Sequence, residues 1–114
     1  MRTDATNWLA LLMLTLASTS EAADPTKGKA LYAEHCVACH GLHGKGNGPT
    51  GKTLDPKPTD FTTATFDEER WFQATKMGTK PVPGKKDKME GFAAKLSDDD
   101  IRDVVAYTQT LKAK

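Results

Sequence analysis

Two cysteines and a histidine lie within five consecutive residues of this 114-residue chain, in the order Cys36-Val37-Ala38-Cys39-His40. A cysteine pair separated by two residues, with a histidine directly after the second, is the attachment pattern of a c-type haem. In that chemistry the two thiols add across the haem vinyl groups as thioethers, and the adjacent imidazole reaches the iron as one axial ligand. The pattern therefore predicts a covalent tether and one iron ligand within a single short segment.

Two other chemistries use closely spaced cysteines, and neither has its usual context here. A dithiol redox motif is expected within a βαβ pattern, and no such pattern surrounds these cysteines. A zinc site needs a fourth ligand at the usual spacing, whereas the chain has two cysteines in all and its other histidines are His35 and His43. We prefer haem attachment, and we keep a dithiol or disulfide protein and a zinc protein as alternatives.

Residues 1–22 have the features of a cleaved secretory signal peptide. Arg2 gives a weakly basic start, residues 8–17 form an apolar run of ten, and Ser20-Glu21-Ala22 places small residues at both positions that a signal peptidase recognises. That run is well short of the roughly 20 residues that a membrane-spanning helix needs. We expect cleavage after Ala22 and export of residues 23–114 to the periplasm as one soluble domain, without stable membrane insertion.

Neither nucleic acid nor a nucleotide is an expected partner. When Arg2, Asp4 and Glu21 leave with the signal peptide, 15 basic and 13 acidic side chains remain of the original 16 and 15, a net charge of +2. Residues 46–53 match the G-x-x-x-x-G-K-[ST] phosphate-loop pattern. A phosphate loop, however, lies between an apolar strand and a helix N-terminus, and this sequence shows neither beside the segment.

Three helical segments are predicted, joined by long loops, and no strand pattern is found. The first begins at Asp24-Pro25 and runs into the cysteine motif. The second is predicted to begin with Thr65 as N-cap and Glu68 as its capping-box partner, and to end at a glycine. The last begins at Ser97, followed by three aspartates that favour a helix N-terminus and by apolar residues at helical spacing. We expect an all-α fold with its loops wrapped around a bound group.

Two residues within these helices carry specific expectations. Gly28 lies inside the first helix, where glycine costs about 1 kcal/mol relative to alanine, so we expect it to let another helix approach closely. Trp71 in the second helix is expected in the core, with a hydrogen bond from its indole to a haem propionate as the alternative.

Four segments, in this order, resemble a class I c-type cytochrome, of the small bacterial monohaem kind. They are Gly-Lys-Ala-Leu-Tyr at 28–32, Cys-Val-Ala-Cys-His-Gly at 36–41, Met-Glu-Gly-Phe at 89–92, and Leu-Ser-Asp-Asp-Asp-Ile at 96–101 leading to Val-Val-Ala-Tyr at 104–107. The resemblance covers essentially all of the chain after the signal peptide. It implies the cytochrome c fold, with three main helices and long loops wrapped around one covalently attached haem, haem c.

The resemblance also implies the two iron ligands, a histidine on one side and a methionine on the other. By position these are His40 and Met89, with Met77 as the alternative to the latter. Met77 lies 37 residues after His40 at a predicted helix end, whereas Met89 lies 49 residues after it in a loop shortly before a phenylalanine, as family ligands usually do. The family often has proline directly after the ligand methionine, and this chain has Glu90 there.

The family's histidine ligand donates a hydrogen bond from its other ring nitrogen to a proline carbonyl in the following loop. The resemblance implies that Pro56 or Pro58 supplies this carbonyl, and both remain candidates. His35 and His43 are expected to face solvent. A second histidine ligand at position 43 is disfavoured because it lies only three residues from His40.

The expected function is one-electron transfer by a His/Met-ligated haem, without an enzymatic activity. Expected partners are a redox protein donor and acceptor, such as a quinol-oxidising cytochrome complex, a terminal oxidase or a periplasmic dehydrogenase, and we expect a monomer. Lysines around Met89 would border an exposed haem edge and steer an acidic partner; they are Lys80, Lys85, Lys86 and Lys88. The alternative is a haem-based ligand sensor or a small haem enzyme with an open sixth position.

Overall fold

The computed structural model describes residues 22–113, so the predicted signal peptide up to residue 21 lies outside the described residues. Across 22–113 the chain forms four α-helices and one 3₁₀ helix, and it contains no strand, which confirms the all-α prediction. The elements are α1 (Pro25–His35), α2 (Val37–His40), the 3₁₀ helix (Gly51–Thr53), α3 (Glu68–Met77) and α4 (Asp98–Gln109). No helix in this part of the chain has the length and apolar character needed to cross a membrane.

Both terminal helices begin at the predicted caps. The Asp24 carboxylate accepts hydrogen bonds from the backbone N–H groups of Thr26 and Lys27, at 2.9 and 3.3 Å. At the start of α4, Ser97 and Asp100 form a reciprocal capping box, with bonds of 3.1 and 3.3 Å. The aspartates after Ser97 therefore stabilise the helix N-terminus, as predicted.

The predicted start of α3 at Thr65 is wrong. The N-cap is Asp67, whose carboxylate accepts a hydrogen bond from the backbone N–H of Arg70 at 3.1 Å. Both residues are of the type that caps helices, and the carboxylate two positions later takes the role. The predicted end is confirmed, because Gly78 caps the helix with a φ of 82°.

Helices α1 and α4 cross with their backbones in contact at Gly28. A Cβ atom at this position would overlap the carbonyl oxygen of Asp103, so the predicted close approach is confirmed. Asp103 is itself buried, and its carboxylate accepts a hydrogen bond from the backbone N–H of Asp24 at 2.7 Å. The start of α1 is thereby held against the middle of α4.

Helix α4 contributes to two buried clusters. One lies between α3 and α4 and is made of Phe72, Leu96, Ile101 and Val105. The other lies between α1 and α4 and is made of Tyr32, Cys36 and Val104. Trp71 is half-buried and packs against the first cluster, as expected of a core residue. Because Cys36 belongs to the second cluster, the cysteine motif is anchored in the core.

Candidate functional site

A cavity of about 610 Å³ lies between the cysteine motif, α3, α4 and the two long loops. Small-molecule and cofactor sites are typically concave, mostly apolar and roughly 300–1,000 Å³ in volume. Among the residues that line it are Cys36, Cys39, His40, Pro56, Pro58, Phe61, Trp71, Met89, Phe92, Val104 and Val105. The predicted attachment motif and the predicted methionine therefore line the same cavity.

The break between α1 and α2 presents both cysteines to this cavity. Helix α1 ends at His35, Cys36 caps it, and α2 begins at Val37. Cys36 is buried, Cys39 is half-buried, and both are free thiols. Burial, followed by the neighbouring Cys39, raises the pKa of the Cys36 thiol to about 11. Dithiol redox motifs have a lowered thiol pKa, so this environment argues against that alternative.

The His40 side chain is buried at 9% exposure and oriented by a backbone carbonyl. Burial lowers the pKa of its imidazole, which favours the neutral ring that metals bind. Its Nδ1 lies 3.2 Å from the carbonyl oxygen of Thr59. With Nδ1 as donor, Nε2 keeps its lone pair for another ligand.

The prediction that Pro56 or Pro58 supplies this carbonyl is wrong. The acceptor is Thr59, one residue beyond the second proline. The Pro58 carbonyl instead lies against Gly46, where a Cβ atom would overlap it. Both prolines line the cavity.

Phe61, which the sequence analysis did not single out, stacks on the ring of His40. The ring centroids are 4.6 Å apart and the planes are inclined by 23°. The Phe61 backbone N–H donates to the carbonyl of Gly44 at 2.7 Å, which fixes this part of the loop. Together with Thr59, Phe61 restricts the orientation of the imidazole. A single aromatic residue in an irregular loop has no periodic pattern that would have indicated this role.

Tyr32 ties α1 to the end of the cysteine motif. Its hydroxyl donates a buried hydrogen bond of 2.7 Å to the carbonyl oxygen of Gly41. Burial raises the pKa of the Tyr32 phenol far above its ordinary value, with smaller contributions from Cys36 and Tyr107. The hydroxyl therefore remains a donor across the physiological pH range.

The glycine-rich segment that follows packs directly on the motif. A Cβ atom at Gly48 would overlap the carbonyl oxygens of Val37 and Ala38, and one at Gly51 would overlap that of Cys39. The backbone N–H of Gly48 donates to the Cys39 carbonyl at 3.1 Å. Residues 46–53 thus hold the cysteine motif through backbone amides and through glycines that permit close packing. This packing requirement accounts for the match to the phosphate-loop pattern.

The two candidate methionines lie in different environments. Met89 is half-buried and lines the cavity, whereas Met77 is 69% exposed and is not among the lining residues. Met89 pairs with Thr79 through two hydrogen bonds of 3.0 Å. In one, the Thr79 N–H donates to the Met89 carbonyl; in the other, the Met89 N–H donates to the Thr79 hydroxyl.

The histidines outside the motif also differ from each other. His43 is exposed, as predicted. The prediction that His35 faces solvent is wrong, because its side chain is 20% exposed and lines the cavity. It packs edge-on against Phe92 with 5.9 Å between ring centroids. The reason is its position at the end of α1, where the helix passes along the cavity wall.

A family profile described as Cytochrome c matches residues 25–112. The chain belongs to the cytochrome c family. It is a small c-type cytochrome with the all-α cytochrome c fold, and the family carries a covalently bound c-type haem with iron and acts in redox reactions. A search of curated proteins gives no significant match.

Solved structures that resemble this cytochrome include these two. One is a chain of the Kuenenia stuttgartiensis reducing HAO-like protein complex Kustc0457/Kustc0458, with 23% identity and a TM-score of 0.61 over 81% of this chain. This cytochrome spans only 43% of that chain, and the likeness concerns the fold alone. The other is the KustC0563 c-type cytochrome, with 26% identity and a TM-score of 0.57, covering 75% of this chain and 96% of that one.

The residues around the cavity fit the group that the family carries. Two unpaired thiols lie on one wall, next to a buried imidazole whose Nδ1 is already bonded. The remaining lining is largely apolar and includes Met89, a residue whose side chain carries a thioether. Such a set of soft sulfur and imidazole donors, in a cavity of about 610 Å³, matches the attachment and ligation chemistry of a c-type haem.

Proposed function

We propose that this cytochrome is a soluble periplasmic one-electron carrier with one haem. In this proposal Cys36 and Cys39 would attach the haem, and His40 and Met89 would ligate its iron. The observation that supports it is that these four residues, 53 positions apart at the extremes, line a single cavity. Met77, the other candidate ligand, is exposed outside that cavity.

A haem held by these residues would supply an iron that can change between the ferric and ferrous states. The chain contributes the environment in which this change occurs. Thr59 and Phe61 orient the His40 ring, and Thr79 holds the Met89 backbone. A thioether ligand stabilises the ferrous form, so this ligand pair favours a comparatively high reduction potential.

Basic residues border the cavity where the proposed haem edge would meet solvent. Lys80 and Lys88 are both exposed and line the cavity. Lys85 and Lys86 belong to the same loop, and Lys85 forms an ion pair with Asp55 at 3.1 Å. These charges favour brief docking of acidic redox partners, which steers association more than it adds affinity. A donor and an acceptor protein, such as a quinol-oxidising cytochrome complex, a terminal oxidase or a periplasmic dehydrogenase, are the partners we propose.

Export is part of this proposal. Thioether attachment of haem takes place outside the cytoplasm, where unattached thiols tend to oxidise. Residues 1–22 have the features of a signal peptide cleaved after Ala22, and residues 23–114 would then form a monomeric haem domain.

Mass spectrometry and carbon monoxide binding test the proposal. In protein purified from cells with haem-attachment machinery, we expect the peptide containing Cys36 and Cys39 to carry the mass of one haem. The double variant Cys36→Ser/Cys39→Ser should lack it. Ferrous protein should bind carbon monoxide slowly, because in this proposal Met89 would already ligate the iron. Fast, tight binding would instead support a ligand sensor or a small haem enzyme, and a peptide without haem would contradict both functions.

A further inference from the structure

We propose that Asp87 is a positioning residue that joins two loops lining the cavity and thereby holds Met89 in place. This inference rests on the proposed function, since it takes Met89 as the iron ligand. One loop contains residues 54–60 and follows the cysteine motif, and the other contains residues 79–90 and ends next to Met89. We call the contact between them the Asp55–Asp87 clasp.

Three hydrogen bonds form the clasp. The backbone N–H of Asp55 donates to the Asp87 carboxylate at 2.8 Å. In return, the carbonyl oxygen of Asp55 accepts from the backbone N–H groups of Lys86 and Asp87, at 3.1 and 2.8 Å. Asp87 lines the cavity two residues before Met89, and Asp55 directly precedes Pro56, which also lines it. The clasp therefore connects two loops that both line the cavity, two residues before the proposed ligand.

The loop that carries Met89 has few other attachments. Residues 79–90 contain neither helix nor strand, and Pro81 and Pro83 have no backbone N–H to donate. Gly84 lies in open space, with no atom within 4 Å of an ideal Cβ. Within residues 22–113, every hydrogen bond and ion pair that links positions 80–88 to the rest of the chain ends on Asp55.

Met89 is thus held from two sides. The paired bonds with Thr79 fix its own backbone, and the clasp fixes the chain that approaches it. Removal of the Asp87 carboxylate breaks one of the three clasp bonds and leaves the two to the Asp55 carbonyl. The net strength of one such bond corresponds to an about two- to tenfold change in an equilibrium constant. We expect the population with Met89 displaced to increase by that factor.

The test uses the haem-loaded protein and three variants. Asp87→Ala removes the acceptor, whereas Asp87→Asn keeps an oxygen that can accept from the Asp55 N–H. Lys85→Gln removes only the exposed ion pair with Asp55, which is a matched control on the same loop, because exposed pairs contribute little. The first measurement is the rate of carbon monoxide binding to ferrous protein. The second is the temperature at which the methionine-to-iron absorption band disappears, compared with the temperature at which helical circular dichroism is lost.

We expect Asp87→Ala to bind carbon monoxide about two- to tenfold faster and to lose the methionine-to-iron band at a lower temperature, with the helical transition unchanged. Asp87→Asn and Lys85→Gln should behave like wild type. If Asp87→Ala matches wild type, or lowers both transitions together, Asp87 has no positioning role and the inference is wrong. A wild-type protein without a methionine-to-iron band would contradict the proposed function itself and the inference with it.

Discussion

Gly28 of α1 lies against the carbonyl oxygen of Asp103 in α4, with no room for a β-carbon between them. This contact sets the distance between the two helices that enclose Tyr32, Cys36 and Val104. The cysteine motif follows α1 directly, so the position of the motif depends on how closely these helices approach.

Gly28→Ala should therefore destabilise the protein although alanine is the better helix former. We expect a loss of about 1–2 kcal/mol in the free energy of unfolding, because overlap with a backbone atom places the cost in the upper part of the roughly 1–3 kcal/mol range for overpacking, and helix propensity returns about 1 kcal/mol. Denaturant unfolding followed by circular dichroism measures it. Lys29→Ala, at the neighbouring exposed position, is the control and should be nearly neutral. A Gly28→Ala protein as stable as wild type would contradict the backbone contact.

Tyr32→Phe should also reduce stability, for a different reason. The variant keeps the ring but removes one of two donors to the buried Gly41 carbonyl, leaving the backbone N–H of Gly44, at 3.1 Å, as its donor. One hydrogen bond contributes about 0.5–1.5 kcal/mol net, and we expect a loss in that range in the free energy of unfolding, measured by denaturant unfolding. Tyr107→Phe, whose ring centroid is 5.2 Å from that of Tyr32, is the control for a change in the aromatic contact. Equal stability of both variants would show that the Tyr32 hydroxyl bond contributes nothing.

The local signals for the helices and the site motif could be found in the sequence. Asp24 and Ser97 were predicted as caps because the capping side chain bonds to backbone groups only two or three residues away. Gly28 was predicted as a close contact because glycine inside a helix needs a packing reason. The start of α3 was misplaced because Thr65 and Asp67 are both suitable caps, and only the folded chain selects one.

The contacts between loops could not be predicted in this way. The His40 acceptor is a backbone carbonyl, which every residue has, so the sequence could not distinguish Thr59 from the adjacent proline. Asp55 and Asp87 are 32 residues apart in segments without periodicity. Their pairing depends on how two irregular loops meet at the cavity. No helical or strand periodicity in the sequence indicates such a contact.

Stability at alkaline pH should depend on Tyr32. Burial raises the pKa of its phenol above the ordinary value of 10.0, so the unfolded chain loses the proton first. The contribution of the protonated Tyr32 phenol to the free energy of unfolding is complete below pH 10, and it is lost as the pH rises toward the folded-state pKa. The slope for one such group is at most about 1.4 kcal/mol per pH unit.

The test measures the free energy of unfolding of wild type and of Tyr32→Phe at several pH values from 9 upward. The lysines titrate in both proteins, so the difference between the two free energies isolates the effect of Tyr32. The difference between the two proteins should shrink above about pH 10. A constant difference across the range would contradict a raised Tyr32 pKa.

Charge reversal at the cavity rim should slow electron transfer to an acidic partner. Lys80 and Lys88 line the cavity, so Lys80→Glu/Lys88→Glu should reduce the second-order rate by about tenfold or more at low salt and much less at high salt. Stopped-flow mixing with an acidic redox protein measures it. Lys29→Glu/Lys52→Glu makes the same charge change at exposed residues outside the cavity lining. Equal rates in the two double variants would show that net charge, and not the rim, controls docking.

The most direct test of the proposed ligand pair is the visible spectrum of the oxidised and reduced protein. It is measured for wild type, Met89→Ala and Met77→Ala. We predict sharp reduced bands and a weak methionine-to-iron band in the oxidised wild type. That band should disappear in Met89→Ala and persist in Met77→Ala. Loss of the band in Met77→Ala alone, or no such band in wild type, would contradict a carrier ligated by His40 and Met89, and a colourless protein would contradict haem attachment at the cysteine motif.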